Sequence, residues 1–180
     1  RQRLHLCKGR RRVAAVGVGH TLYGDRRAAA NGQHADMKSA GVAHDEKPEN
    51  MTVMETRAAA AKAEIYISSV NGISEQGEIV NIDNTGNRVA AISYGPSKIY
   101  LVIGANKVAE DCEMAVFRAR NIAAPLNAKR LNRKTPCAVN ADKCYDCNSP
   151  ERICRNLSVL WDKPTGAEYE LILVEENLGY

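Results

Sequence analysis

The chain is 180 residues long, 44% hydrophobic and 26% charged, which fits one globular domain with a single sizeable core and excludes a fibrous or disordered polymer. Its formal net charge of +4 is local, because Arg1, Arg3, Lys8, Arg10, Arg11 and Arg12 supply the excess and the remainder is slightly acidic. With aromatics at only 5%, a broad basic surface interleaved with stacking rings is missing, and nucleic acid is disfavoured as a partner.

Residues 1–12 carry no clear apolar period and read as a solvated basic arm, leaving 13–180 as a single α/β domain. No apolar signal-peptide core follows that arm and no run of about 18 apolar residues exists, so no membrane span is expected and the cytoplasm is the expected location. The segment VAAVGV at 13–18 reads as a buried strand entering a glycine-rich turn. Gly17, Gly19 and Thr21 there are candidate ligand contacts, since backbone N–H groups in such turns can approach an anion. Gly24 comes seven residues after Gly17, which is the wrong spacing for the dinucleotide-binding fingerprint. Residues 24–50 hold the breakers Asn31, Gly32, Gly41 and Pro48 and no predicted element. Residues 51–63 predict a helix capped by Thr52, with Met51, Met54, Ala58 and Ala61 on its packed face.

Ile65, Tyr66 and Ile67 begin a β-prone run that gives way to polar residues. A turn at Gly77 leads to a second short strand over 78–82, and Asp83, Asn84 and Thr85 are good caps for a helix over 87–94. Asn71, Asn81, Gly86, Asn87 and Arg88 are candidate ligand-binding residues in this unit. A helix N-terminus beside an arginine suits a small anionic metabolite. Glu75 and Asp83 are the candidate acid or base, although Glu75 reads equally well as a solvated turn residue.

Residues 98–103 form the clearest buried strand. A helix follows over 107–122, with Val108, Cys112, Ala115, Val116 and Ala119 as its apolar stripe and Cys112 as core filler. Pro125 breaks the chain before a short helix ending near Leu131. Strands at 157–161 and 169–174 flank a turn at 163–166. The five strands 13–18, 65–69, 98–103, 157–161 and 169–174 are expected in one mostly parallel sheet covered on both faces, a three-layer α/β fold.

Cys137, Cys144, Cys147 and Cys154 stand at C-x6-C-x2-C-x6-C, with Cys7 and Cys112 far outside the pattern. Four thiolates so close in sequence can converge on one soft metal centre, and a cytoplasmic chain disfavours paired disulfides. Structural zinc commonly uses two CxxC knuckles where only one is present here, whereas iron–sulfur clusters accept uneven spacing. A [4Fe–4S] cluster is therefore preferred and zinc is the alternative. Pro136 and Pro150 shield the loop at 135–155, and Lys143 and Arg152 offset its thiolate charge.

The segments SVNGISEQGEIVNIDNTGNRV at 69–89, NIAAPLNAKRL at 121–131, the cysteine loop and ENLGY at 176–180 together resemble the LUD (lactate-utilisation) domain family, formerly a domain of unknown function. The resemblance implies a fold related to sugar-phosphate isomerases and CoA transferases. It also suggests participation in lactate oxidation, so that the expected function is a small anionic metabolite-binding protein with a four-cysteine site. Two competitors remain: an electron-transfer or assembly subunit of an oxidation complex with a redox protein partner, and a non-catalytic binding domain with a structural zinc site.

Overall fold

The computed structural model describes the strands Arg3–Cys7 and Leu22–Gly24 and residues 52–180. In chain order the strands are β1 (Arg3–Cys7), β2 (Leu22–Gly24), β3 (Ile65–Ser68), β4 (Gly72–Ser74), β5 (Ile79–Asp83), β6 (Lys98–Gly104), β7 (Val108–Ala109), β8 (Asn156–Leu160) and β9 (Glu168–Val174). The helices are α1 (Val53–Ala60), α2 (Asn87–Ser93), α3 (Cys112–Arg118), a π-helical turn (Ala119–Ala123), α4 (Ala124–Arg130) and α5 (Pro136–Asn140). Where the sequence suggests one domain over 13–180, the chain divides into two compact units, the second made of Val70–Val89 and Asn106–Asp162 with Tyr180.

The first unit is built on a sheet of order β1-β9-β6-β3-β2, parallel throughout. Its central strand β6 buries Leu101, Val102 and Ile103 in succession. Side chains alternate between faces, so three consecutive buried residues require cover on both sides of the sheet. The three-layer α/β class is thus borne out. Two details differ from the sequence reading. Arg3–Cys7, assigned to a solvated arm, pairs in register with β9. Residues 157–161 belong to another sheet, because β8 pairs with β5. The predicted strand 13–18 lies outside the described residues.

Helix α1 starts where a reciprocal cap satisfies two orphan N–H groups: Glu55 N donates to Thr52 Oγ1 at 3.2 Å and Thr52 N donates to Glu55 Oε2 at 2.7 Å. Those bonds hold the Glu55 carboxyl below its ordinary range. The buried face carries Thr56 and Ala60, not Met54, Ala58 and Ala61, which are exposed. The run of four alanines at 58–61 has no apolar phase, so the sequence could not fix the helix rotation. After α2 the chain turns at Gly95, whose φ of +114° and the Ala61 carbonyl oxygen 2.6 Å from where a Cβ would stand both require glycine.

Tyr169 is buried in this unit and its hydroxyl donates to the Ile92 carbonyl. Burial pushes its pKa up to about 12. An unfolded tyrosine titrates near about 10, so between those values the folded chain keeps a proton that the unfolded chain loses. Stability from this group is complete below about pH 10 and is lost as pH rises toward 12, on the order of 2 kcal/mol in all. Urea titrations across that window should show the alkaline loss in the parent and a flatter profile in Tyr169→Phe; equal slopes would clear the phenol of any part in it.

The second unit holds a sheet of order β7-β4-β5-β8. Its β4–β5 hairpin is antiparallel and closes at Gly77, φ 100°. Ser74 organises the turn: its hydroxyl oxygen accepts from the N–H groups of Gly77 and Glu78 at 3.1 and 3.0 Å, and its O–H donates to the Glu78 carboxylate. Val80, Ala115 and Ala119 form the core between this sheet and α3, joined by Ile82, Val116 and Val159. The strand and helix meet so closely that a Cβ on Gly72 would stand 2.7 Å from the Ala115 carbonyl oxygen.

The helix expected over 107–122 begins only at Cys112, because Asp111 caps it, accepting from Met114 N at 2.8 Å. Upstream, Val108 and Ala109 pair with β4 as β7. Nor does Pro125 break the chain. The π turn widens the helix just before it, with Ala124 N bonded to Ala119 O, so α3 runs on into α4 with the proline's missing N–H accommodated at the α4 start.

Candidate functional site

The polar residues singled out at 71–88 fall into two groups. Asn71, Asp83 and Arg88 are brought together. Asn71 Oδ1 accepts from Ile82 N at 2.7 Å and from Arg88 Nη2 at 2.8 Å, and Arg88 Nη2 also donates to Ile82 O at 2.8 Å. Asp83 Oδ2 accepts from the N–H groups of Arg88 and Val89 at 3.0 and 3.3 Å, and Asp83 Oδ1 from Asn84 N at 2.8 Å. The carboxylate therefore occupies the α2 N-terminus that the sequence offered to an anion. Gly86 takes a φ of 87°, which lets the chain loop back under that cap.

Glu75 stands apart from this group in character, exposed at the hairpin turn, its N–H bonded to Ala109 O at 2.9 Å. Asn87 opens α2 and is half-buried. Asn81 is buried on β5, and its Oδ1 has no hydrogen-bond partner. Gly17, Gly19 and Thr21 lie outside the described residues.

The cysteine segment is assembled from short, strongly specified pieces. Pro136 at the first turn of α5 suits a position that needs no N–H donor. Thr135, instead of capping α5 with its side chain, places its hydroxyl 3.3 Å from Cys137 Sγ. Ala141, φ 55°, ends the helix and sends the chain toward Cys144. The Cys144–Cys147 knuckle turns through Asp146, φ 47°, whose N–H donates to Cys144 Sγ at 3.3 Å.

Three side chains then fix the knuckle and the chain that follows it. Asn121 Oδ1 accepts from Cys144 N at 3.1 Å. Arg120 Nη2 points at Cys144 Sγ from 3.7 Å and at Asp146 Oδ1 from 2.9 Å. Arg152 ties two cysteines together through their backbones, with Nε donating to Cys154 O at 2.9 Å and Nη1 to Cys147 O at 3.2 Å. The hydrogen-bonded sulfurs hold both guanidinium groups even more firmly protonated than usual, Cys144 acting on Arg120 and Cys154 on Arg152.

All four cysteines, with Arg120, Arg152 and Tyr145, line one cavity of about 250 Å³. Each is half-buried and a free thiol. Cys112 is also free but does not line the cavity; burial and the neighbouring carboxylates push its pKa up. Among the described residues no three His, Cys, Asp or Glu side chains stand close enough to hold a metal ion as placed. Arg152 was legible in the sequence as a charge partner, while Arg120 and Asn121 were not, since both lie more than twenty residues before the sulfur they serve.

The mostly parallel sheet with its helices places the protein in the three-layer α/β class. The LUD domain family profile matches residues 5–174, and the chain belongs to that lactate-utilisation-related family. A crystal structure of a DUF162 family protein from Deinococcus radiodurans is similar at 14% identity and a TM-score of 0.37, covering 87% of this chain and 88% of that one. No curated protein sequence matches the chain. Among the described residues no helix is long and apolar enough to cross a membrane.

Proposed function

We propose that this LUD-family chain carries a thiolate-bound [4Fe–4S] centre on Cys137, Cys144, Cys147 and Cys154 and serves as an electron-transfer subunit of a lactate-utilisation-type oxidation system, working in the cytoplasm with a redox protein partner. The observation that carries this reading is the shared cavity of about 250 Å³ lined by all four sulfurs. The donor set fits the group. Four soft sulfurs match iron–sulfur ligation, and Arg120 and Arg152 compensate thiolate charge.

The ligand pattern favours a cluster over a single ion: one CxxC knuckle lies between two six-residue gaps, where structural zinc commonly uses two knuckles and iron–sulfur clusters accept uneven spacing. When bound, the cluster would supply a one-electron redox couple; the chain's own residues hold its ligands and shield it.

The anionic-metabolite reading of 71–88 has weaker support, because Asn71, Asp83 and Arg88 are engaged with one another and with the backbone. In this reading Glu75 and Asp83 carry no acid–base step. The test is anaerobic purification followed by iron, sulfide and zinc analysis and a spectrum near about 400 nm. Iron and sulfide with a broad charge-transfer band are expected. Zinc alone would replace the redox role with a structural clamp, and protein free of both metals would end the proposal.

A further inference from the structure

Arg120 and Asn121 are neighbours in sequence, and both are directed at Cys144. Both lie in the π turn Ala119–Ala123, where successive side chains diverge slightly less than in a regular α-helix, and both reach the same knuckle. π turns recur at functional sites for this kind of reason. Here Asn121 fixes the Cys144 backbone at 3.1 Å while Arg120 addresses its sulfur at 3.7 Å.

Stability does not account for Arg120. Its ion pair with Asp146 joins side chains 44% and 79% exposed, and pairs so open to water contribute little. Arg120 is also exposed on its helix, so its removal opens no core. What remains is the contact with Cys144, made from a guanidinium already oriented by Asp146 and aimed at the cavity wall. Positive charge and hydrogen bonding at a ligand sulfur favour the more electron-rich state of a thiolate centre and slow the departure of its metal.

We infer that Arg120 is a positioning residue for the four-cysteine centre: held by the π turn and Asp146, it orients the Cys144 sulfur and raises the centre's reduction potential. The inference rests on the proposed ligation by Cys137, Cys144, Cys147 and Cys154. Asp146 acts with it as the anchor, and Asn121 as the brace of the same knuckle.

The experiment compares wild type, Arg120→Gln and Arg120→Lys, all purified anaerobically. Gln keeps the helix and most of the side chain, so the melting profile should be unchanged. With iron bound, the midpoint potential of Arg120→Gln should move to a more negative value with an altered spectrum of the reduced state, and Arg120→Lys should recover part of the shift. With zinc bound, release to a competing chelator should be about tenfold faster in Arg120→Gln and partly restored in Arg120→Lys. Full metal content with an unchanged potential, or unchanged release, overturns the role of Arg120 while leaving the ligand assignment standing. Wild type with neither metal overturns both.

Discussion

Arg118→Ala is expected to destabilise the protein by on the order of 3–4 kcal/mol. Arg118 is 8% exposed. Its Nε donates to Asn106 O at 2.7 Å and its Nη1 to Asn71 O at 2.6 Å, so one planar fork joins the chain before β7 to the chain before β4. Removing it takes the donor from the buried Asn71 carbonyl oxygen and from the half-buried Asn106 carbonyl and leaves the volume of a long side chain unfilled. A stranded buried acceptor costs roughly 1–3 kcal/mol, and bonds from a charged donor stand at the strong end of the scale.

Burial lowers the Arg118 pKa, yet a guanidinium stays charged at any physiological pH. The loss should therefore be independent of pH in the neutral range. Arg118→Lys should rescue little, because a single ammonium head lacks the fork geometry. Urea unfolding of the three proteins decides the matter. A shift below about 1 kcal/mol for Arg118→Ala would mean that water replaces the fork and that the two carbonyls are less enclosed than their surroundings indicate.

Cys147→Ser is expected to abolish the metal content and to loosen residues 135–155, with amide exchange there accelerating by orders of magnitude. The apolar support of the segment is small: Ala128, Ala138 and Ile153, with Cys137 against them. At about 25 cal/mol per Å² such a cluster contributes only a few kcal/mol, whereas thiolate–metal binding in comparable small sites is worth on the order of 10 kcal/mol. The segment's order should follow its metal. Cys112→Ser is the matched control, since Cys112 lies outside the cavity, and it should leave both metal and exchange unchanged. Retained metal and protection in Cys147→Ser would remove that cysteine from the ligand set.

Strands β3, β6 and β9 of the parallel sheet were legible because continuous apolar runs such as Ile99 to Ile103 have one physical outcome, burial on both faces, whereas β1 and β2 were not read as strands. Strand β8 was legible as a strand but not in its pairing. Val159 packs on the α3 core while Leu157, two residues earlier on the same face, is exposed, a pattern that does not name the sheet. The late start of α3 was hidden by Lys107, a residue that reads as a helix surface and is 1% exposed here.

At the polar unit, the sequence picked out residues that the structure brings together, Asn71, Asp83 and Arg88. Good caps and good anion ligands are the same side chains, and only geometry tells which task they perform. The cysteine spacing grouped four residues that line one cavity, whereas the guanidinium beside them depends on a helix reached across 24 residues of chain.

The π turn has a consequence for how this chain can vary in length. It holds one residue more than an α-helix would use over the same rise. Deleting a residue within 119–123 would restore regular helix and leave everything beyond it close to its present phase. The face of α4 that presents Ala128 to Ala138 and Ile153 would stay on them, while the approach of Arg120 and Asn121 to Cys144 would be lost. Insertions elsewhere in the loops can be absorbed by slack. A one-residue gap in this helix would therefore separate chains that brace the Cys144 knuckle from chains that share only the packing.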